Sequence, residues 1–262
     1  MKEIIRKTKA RLLRMHFESG VGHIGGNLSA LDMILYLHHR EMGPDDVFLL
    51  SKGHAAGALY AALWSLGRLS EEDLRTFHQE GTHLSGHPAP GWRKDIPFAT
   101  GSLGHGLPLA CGLALGKRLK KEKGRVFCLL SDGEWNEGST WEGLIFAAHR
   151  GLDLTALVDL NGLQGFGATA EIADLSPLEE KLRPFGVDVQ SIDGHDMKEL
   201  AAALERPARG PRVIVARTIK GRGISFMENK MEWHYLPMTE AQYRRALAEI
   251  SAADAEKRAG SA

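Results

Sequence analysis

Three predominantly apolar strand-like runs constrain this chain more than any other feature: Arg125 to Leu130 (RVFCLL), Leu154 to Leu160 (LTALVDL) and Arg212 to Ala216 (RVIVA). Each is too short for a buried helix and lacks the alternation of a half-exposed strand, so each reads as a strand buried on both faces. Weaker strands are expected at Val47 to Leu50 and Val187 to Ile192. Helical stretches separate these strands, as parallel pairing demands, because a parallel neighbour is reached only through a crossover. The sequence therefore predicts an α/β fold: a doubly wound, mostly parallel sheet with helices on both faces.

The helices expected are residues 2 to 18, Ser29 to Arg40 with a cap near Asn27 or Ser29, and a small-residue helix from His54 to about Leu66. Further helices are a short one begun by Ser70 with Glu71 and Glu72 in its first turn, Gly106 to Lys121, Thr140 to Arg150, and Asp196 to Leu204. Between Gly81 and Phe98 the glycines and prolines predict a loop, and it carries His83 and His87. No composition shift or repeat divides the chain, and the only biased segment is an alanine-rich tail after Ile250, so one domain over residues 1–262 is expected. With 43% hydrophobic residues it can bury a core. Equal numbers of basic and acidic residues leave a formal net charge of zero, which argues against nucleic acid or an anionic membrane surface as partner. The basic N-terminus lacks a secretory pattern, and no run approaches the roughly 18 apolar residues of a membrane span. Cys111 and Cys128 sit in apolar company, as in a reducing, cytoplasmic compartment.

The chemistry-bearing residues follow the strands. Asp132 and Asn161, 29 positions apart, each lie just past the end of an apolar run. In an open α/β sheet those ends line the ligand crevice. A carboxylate and an amide oxygen there suit Mg2+, which completes its shell with water and phosphate oxygens, and Gly133 lets backbone approach a diphosphate. An Asp-Gly turn alone is more simply an acidic, solvated turn; the pairing with Asn161 favours the metal site. Several histidines stand beside glycine or proline, among them His23, His54, His87 and His105, where they have little helical or packing purpose.

These residues resemble a known family. SDGEWNEGSTWEG through DLNGLQGFG is similar to the thiamine diphosphate motif of transketolases, and GHIGGNLSALDMILYL, SKGHAAGALYAAL, GHP, TGSLGHGLPLACGLALGKRL, IDGHD and RTIKGRGISFMEN with Trp233-His234 follow in the order of a transketolase N-terminal domain. The resemblance implies thiamine diphosphate and Mg2+ as cofactors. It gives the metal the side chains of Asp132 and Asn161 and the carbonyl of Leu163. It gives the cofactor His54, Gly101, Leu103, Gly133, Glu134 and His234, with Leu103 beside the thiazolium ring. His23, His87 and His234 become the histidines of catalysis, the first two facing the sugar, and Glu137 bonds across the interface between two cofactor sites. The implied activity is transfer of a two-carbon ketol unit between sugar phosphates, with the cofactor as electron sink.

Ser131 stands where the family motif has its first glycine, and Ile24, Gly26 and His105 stand where full-length transketolases often have proline, alanine and glutamine. Those departures resemble the split, bacterial-type members. Nothing after Ile250 matches the family's pyrimidine-binding domain, so a C-terminal partner subunit is expected, in a two-plus-two heterotetramer. Other readings are a deoxyxylulose-phosphate-synthase-like or 2-oxoacid-dehydrogenase-like subunit, and a non-catalytic scaffold that keeps the fold. A P-loop at Gly112 to Arg118 fails on spacing, a zinc site from His83 and His87 lacks a helix, and no serine-hydrolase elbow occurs.

Overall fold

The computed structural model describes residues 1–259, with side chains to residue 252. Helices α1 (Lys2–Ser19) and α2 (Ile24–Tyr36) lead to strand β1 (Val47–Leu50), then α3 (Ala56–Ser65), α4 (Glu71–Arg75) and, after the expected loop, α5 (Gly106–Lys120). Strand β2 (Val126–Ser131), helix α6 (Gly138–Arg150) and strand β3 (Leu154–Leu160) form the centre. Two short helices, α7 (Thr169–Ala173) and α8 (Leu178–Leu182), precede β4 (Asp188–Asp193), α9 (Met197–Glu205), β5 (Arg212–Arg217) and α10 (Glu240–Ala259). All five strands run parallel in the order β1-β2-β3-β5-β4.

The central strands are buried on both faces, as their composition requires. Phe127, Leu129, Leu157 and Ile214 point into one core, shared with Leu12, Ile24, Leu31 and Ala61 of α1 to α3. Their neighbours Val126, Cys128, Leu130, Ala156, Val158, Val213 and Val215 point into a second core with Ala110, Leu144 and Leu182 of α5, α6 and α8. The period-2 alternation of a strand thus distributes one apolar run between two helical layers. Both cysteines are buried and free. No helix among the described residues is long and apolar enough to cross a membrane.

Three expectations need correction. Helix α2 begins at Ile24, not near Ser29, and its cap position is His23 at φ 65°. Asn27 lies inside the helix, where its amide donates to the carbonyls of His23 (2.8 Å) and His54 (3.0 Å) and accepts from Ala58 N–H (2.7 Å). A buried asparagine satisfied on three sides fastens the first turns of α2 and α3 together, which outweighs the poor helix propensity of Gly25 and Gly26. The helix then widens into a π turn at Leu37–Glu41 instead of continuing regularly to Arg40. The alanine-rich tail lies within α10 as far as Ala259; residues 260–262 fall outside the described part. The brief helices α7 and α8 were not foreseen, because five residues carry too little periodicity to register.

Two histidines of the helical layer predict acid sensitivity. Burial lowers His16 to about 4 against the opposing pull of the Val21 and Gly22 backbone, and lowers His38, bonded to the Ile34 carbonyl at 2.9 Å, to about 4. A histidine depressed in the folded state contributes stability above its unfolded pKa of about 6.5 and loses it as pH falls towards the folded value. Urea unfolding at pH 7 and pH 5 is expected to differ by about 2 kcal/mol for each of the two, with lower stability at pH 5. Replacing either histidine by glutamine should remove its share of that pH dependence, and an unchanged dependence in both variants would refute the neutral burial of these rings.

Candidate functional site

The C-terminal ends of β1, β2, β3 and β5 release Lys52, Asp132, Asn161 and Lys220 at one edge of the sheet. Beneath that edge Lys52 is fully buried and forms an ion pair with fully buried Asp159. Ser29 Oγ (2.6 Å) and Thr218 Oγ1 also donate to the Asp159 carboxylate, and Lys52 Nζ donates to the Gly26 carbonyl at 3.1 Å. The strong donors around it hold Asp159 ionised and lowered despite burial.

Asp132 caps the short 3-10 turn Gly133–Asn136. Its Oδ1 accepts from Gly133 N–H (2.9 Å), and Oδ2 accepts from Gly162 N–H (2.7 Å) and Thr169 Oγ1 (3.2 Å). The carboxylate therefore fixes the loop after β3 against the end of β2, with lone pairs to spare for a cation. Burial, and then the nearby Asp159 carboxylate, raise Asp132 to about 6. Positive charge is what such a group lacks. Asn161 Oδ1 accepts from Leu163 N–H at 3.1 Å, and the Leu163 carbonyl accepts from Lys220 Nζ at 3.1 Å. No group of three or more His, Cys, Asp or Glu with metal-holding geometry occurs among the described residues. A cation here must draw further oxygens from water or a ligand, which is how Mg2+ binds beside phosphates.

The histidines gather over the same edge. His23, His54 and His234 form a triangle with ring centroids 5.7, 5.1 and 5.5 Å apart, and His87 lies edge-on to His23 at 6.3 Å. Glycines permit this approach. A Cβ on Gly53 would fall 2.6 Å from Gly101 N, and one on Gly101, at φ 128°, would fall 2.5 Å from the His87 ring. Burial lowers all four imidazoles, with Lys52 next for His54, Lys220 for His234 and His87 for His23. His234 falls to about 3, and Lys220 itself is lowered to about 8 by burial and then by Lys52. Asp159 pairs with Lys52, and it and Asp132 partly offset the charge of Lys220; with a cation on Asp132, a diphosphate could accept from Lys220 and from the imidazole N–H groups. The residues present fit both a divalent cation and a diphosphate.

Other candidate residues lie at the margin. Leu103 is half-buried, Gly104 packs against Glu137, whose Cβ would stand 2.5 Å from a Cβ there, and Glu137 is exposed just before α6. Glu134 is fully buried; it accepts from Ser51 Oγ, Gly104 N–H (3.2 Å) and Ser131 N–H (2.9 Å), and so braces the 101–104 loop from behind. His83 turns away and stacks on Trp92 at 5.1 Å.

Sequence reasoning passed over Lys52, Lys220 and Tyr235. Lys220 Nζ contacts both the Leu163 carbonyl and, at 2.9 Å, His234 Nδ1. The half-exposed Tyr235 ring lies 4.6 Å from His234, and its hydroxyl donates to the Gly165 carbonyl at 2.8 Å. The available signal was position: each lysine immediately precedes a glycine inside a motif already singled out, and Tyr235 follows His234.

Comparison with known proteins gives the family and the fold. The family model described as "Transketolase, thiamine diphosphate binding domain" matches residues 17–255. The 6-deoxy-6-sulfo-D-fructose transketolase subunit of Clostridium sp. (strain MSTE9) is 41% identical over 244 residues, covering 88% of this chain and 89% of that one. An apulose-4-phosphate transketolase subunit of Actinobacillus succinogenes is 36% identical over 241 residues, covering 87% of each. The crystal structure of transketolase from Campylobacter jejuni superposes with a TM-score of 0.85 at 26% identity, covering 95% of this chain but 43% of that one.

Proposed function

The chain belongs to the transketolase thiamine diphosphate-binding domain family, and from that premise we propose that it is the cofactor-binding subunit of a two-chain enzyme transferring a two-carbon ketol unit between sugar phosphates. The observation that carries the reading is the meeting, at one strand edge, of oxygen donors from Asp132, Asn161 and Leu163 with Lys220 and four neutral imidazoles. Asp132, Asn161 and the Leu163 carbonyl, which now accepts from Lys220, would hold Mg2+. His54, Gly133, Lys220 and His234 would receive the diphosphate, Gly101 and Leu103 would lie beside the cofactor, and Glu134 braces that loop. Thiamine diphosphate supplies the electron sink for breaking the bond between the second and third carbons of a ketose. His23 and His87, at the open side of the cluster, bind and orient the sugar and move protons at its hydroxyls, as imidazoles near neutrality can.

A partner is required by this reading. Relatives named as transketolase subunits match this chain over most of their length, whereas the Campylobacter jejuni enzyme is more than twice as long as the part matched. The partner is a C-terminal subunit with a pyrimidine-binding domain, in a two-plus-two assembly in which Glu137 faces the second cofactor site. The relatives' names include a sulfosugar and a sugar phosphate, so the donor class is a ketose with a terminal anionic group. Buried, unbridged cysteines accord with a cytoplasmic setting.

The test is a titration of thiamine diphosphate with Mg2+ into the chain, alone and with the candidate partner, followed by ketose phosphate and 2-oxoacid assays. Tight binding and ketose transfer only in the mixture support the proposal. Activity of the chain alone refutes the partner, 2-oxoacid turnover makes it a decarboxylating relative, and no binding in either preparation makes it a scaffold. His87→Ala in the mixture is expected to leave cofactor affinity within about threefold while kcat/KM falls on the order of a hundredfold. Parallel loss of both would place His87 on the cofactor instead.

A further inference from the structure

His195 bridges two elements that each carry part of the site, and its bonding fixes the state of both ring nitrogens. Nε2 accepts the backbone N–H of Ile219 at 3.0 Å, so that nitrogen bears a lone pair. The proton is then on Nδ1, which donates to Asp32 Oδ2 at 2.8 Å. Both side chains are buried, and Asp32 Oδ1 has no partner, so the carboxylate concentrates its charge on this one imidazole. The turn bearing His195 is itself held: His195 N–H donates to Asp193 Oδ1 (2.8 Å), Gly194 N–H donates to the Arg217 carbonyl (2.8 Å), and a Cβ on Gly194 would strike Thr218 at 2.6 Å.

What His195 holds is the residue between Thr218 and Lys220. Thr218 donates to Asp159, and Lys220 donates to the Leu163 carbonyl and approaches His234 Nδ1 at 2.9 Å. An ammonium group can only donate, so His234 keeps its own proton on Nε2, the nitrogen left to serve a ligand. We propose that His195 is a positioning residue whose ring Asp32 orients: it seats Ile219 so that Lys220 fixes His234 as its Nε2–H tautomer, an arrangement whose functional meaning rests on the cofactor reading above. The relay runs from Asp32 on α2, the helix that His23 begins, to His234, and so ties the sugar-facing and diphosphate-facing histidines into one rigid unit.

The side-chain lengths of the two amides separate the halves of the relay. In His195→Gln the amide oxygen reaches the Nε2 position and can accept from Ile219, whereas in His195→Asn the amide reaches only the Nδ1 position and serves Asp32. Long-range proton-nitrogen correlation on the whole chain with 15N-labelled histidine reads the tautomers without any cofactor. The expected result is His195 protonated on Nδ1 and His234 on Nε2, the latter kept in the glutamine variant and replaced by a mixture in the asparagine variant. Titration of thiamine diphosphate with Mg2+ into the chain assembled with its partner should then give an affinity within about threefold of wild type for glutamine and about tenfold weaker for asparagine. A proton on Nε2 of His195 in the wild type, an unchanged His234 in the asparagine variant, or equal losses in both variants that follow a shared fall in thermal midpoint would overturn the proposal. Tautomers as expected in a wild-type assembly that binds no thiamine diphosphate would leave the relay standing and remove the cofactor reading instead.

Discussion

Replacing Asp132 by asparagine is expected to weaken Mg2+-dependent binding of thiamine diphosphate by at least about a hundredfold, the loss of one charged oxygen from a site that supplies few others. Asparagine preserves volume and keeps an oxygen for Gly133 or Gly162 while turning its NH2 towards the other, so the fold should persist with a loss of about 1–3 kcal/mol, half of what alanine risks. Alanine is a poorer probe. It would leave the N–H groups of Gly133 and Gly162, which now donate to Asp132 at 2.9 and 2.7 Å, without acceptors, at about 1–3 kcal/mol for each one that water does not reach. Calorimetric titration of the asparagine variant in its assembled form, with Mg2+ and with a chelator, checks the claim. Wild-type affinity in Mg2+ would remove Asp132 from the metal site.

Lys52→Met is expected to destabilise the chain by about 3–5 kcal/mol, the range for removing one partner of a buried ion pair. Lys52 and Asp159 are both fully buried, so the stranded carboxylate would sit away from bulk solvent. Ser29 and Thr218 would remain as donors, but neither brings a charge. Adding Asp159→Asn to Lys52→Met removes the stranded carboxylate, and the double variant should recover at least about 2 kcal/mol relative to the sum of the singles. Urea unfolding of the four proteins measures this cycle. Additive losses would mean that the pair acts through packing and not through charge.

The fold was legible wherever a short-range pattern carried it. Val126 to Leu130 reads as a strand because every side chain there is apolar, and the structure sends Phe127 and Leu129 to one core and Cys128 and Leu130 to the other. Asp132 and Asn161 announced themselves by following such runs. The start of α2 was not legible, since Gly25 and Gly26 are weak helix formers; the helix begins there because Asn27 fastens it to α3 and because Gly221 N–H donates to the Gly25 carbonyl at 2.9 Å. Glu134 was read as a group at the cofactor, yet its burial against Ser51 and Gly104 depends on loops that no local pattern connects.

By itself the sequence determined the parallel sheet, the edge at which polar groups gather, and the types of group available there, because hydrophobic runs and their polar ends are properties of neighbours along the chain. Tertiary structure alone decided the pairings: Ser29 with Asp159, Asp32 with His195, Lys220 with His234, and the triangle of His23, His54 and His234. Ser29 and Asp159 lie 130 positions apart, and Asp32 and His195 lie 163 apart. Such partners meet only after the crossovers have set the strand order, and burial then turns ordinary lysines, aspartates and imidazoles into groups with shifted protonation and fixed tautomers.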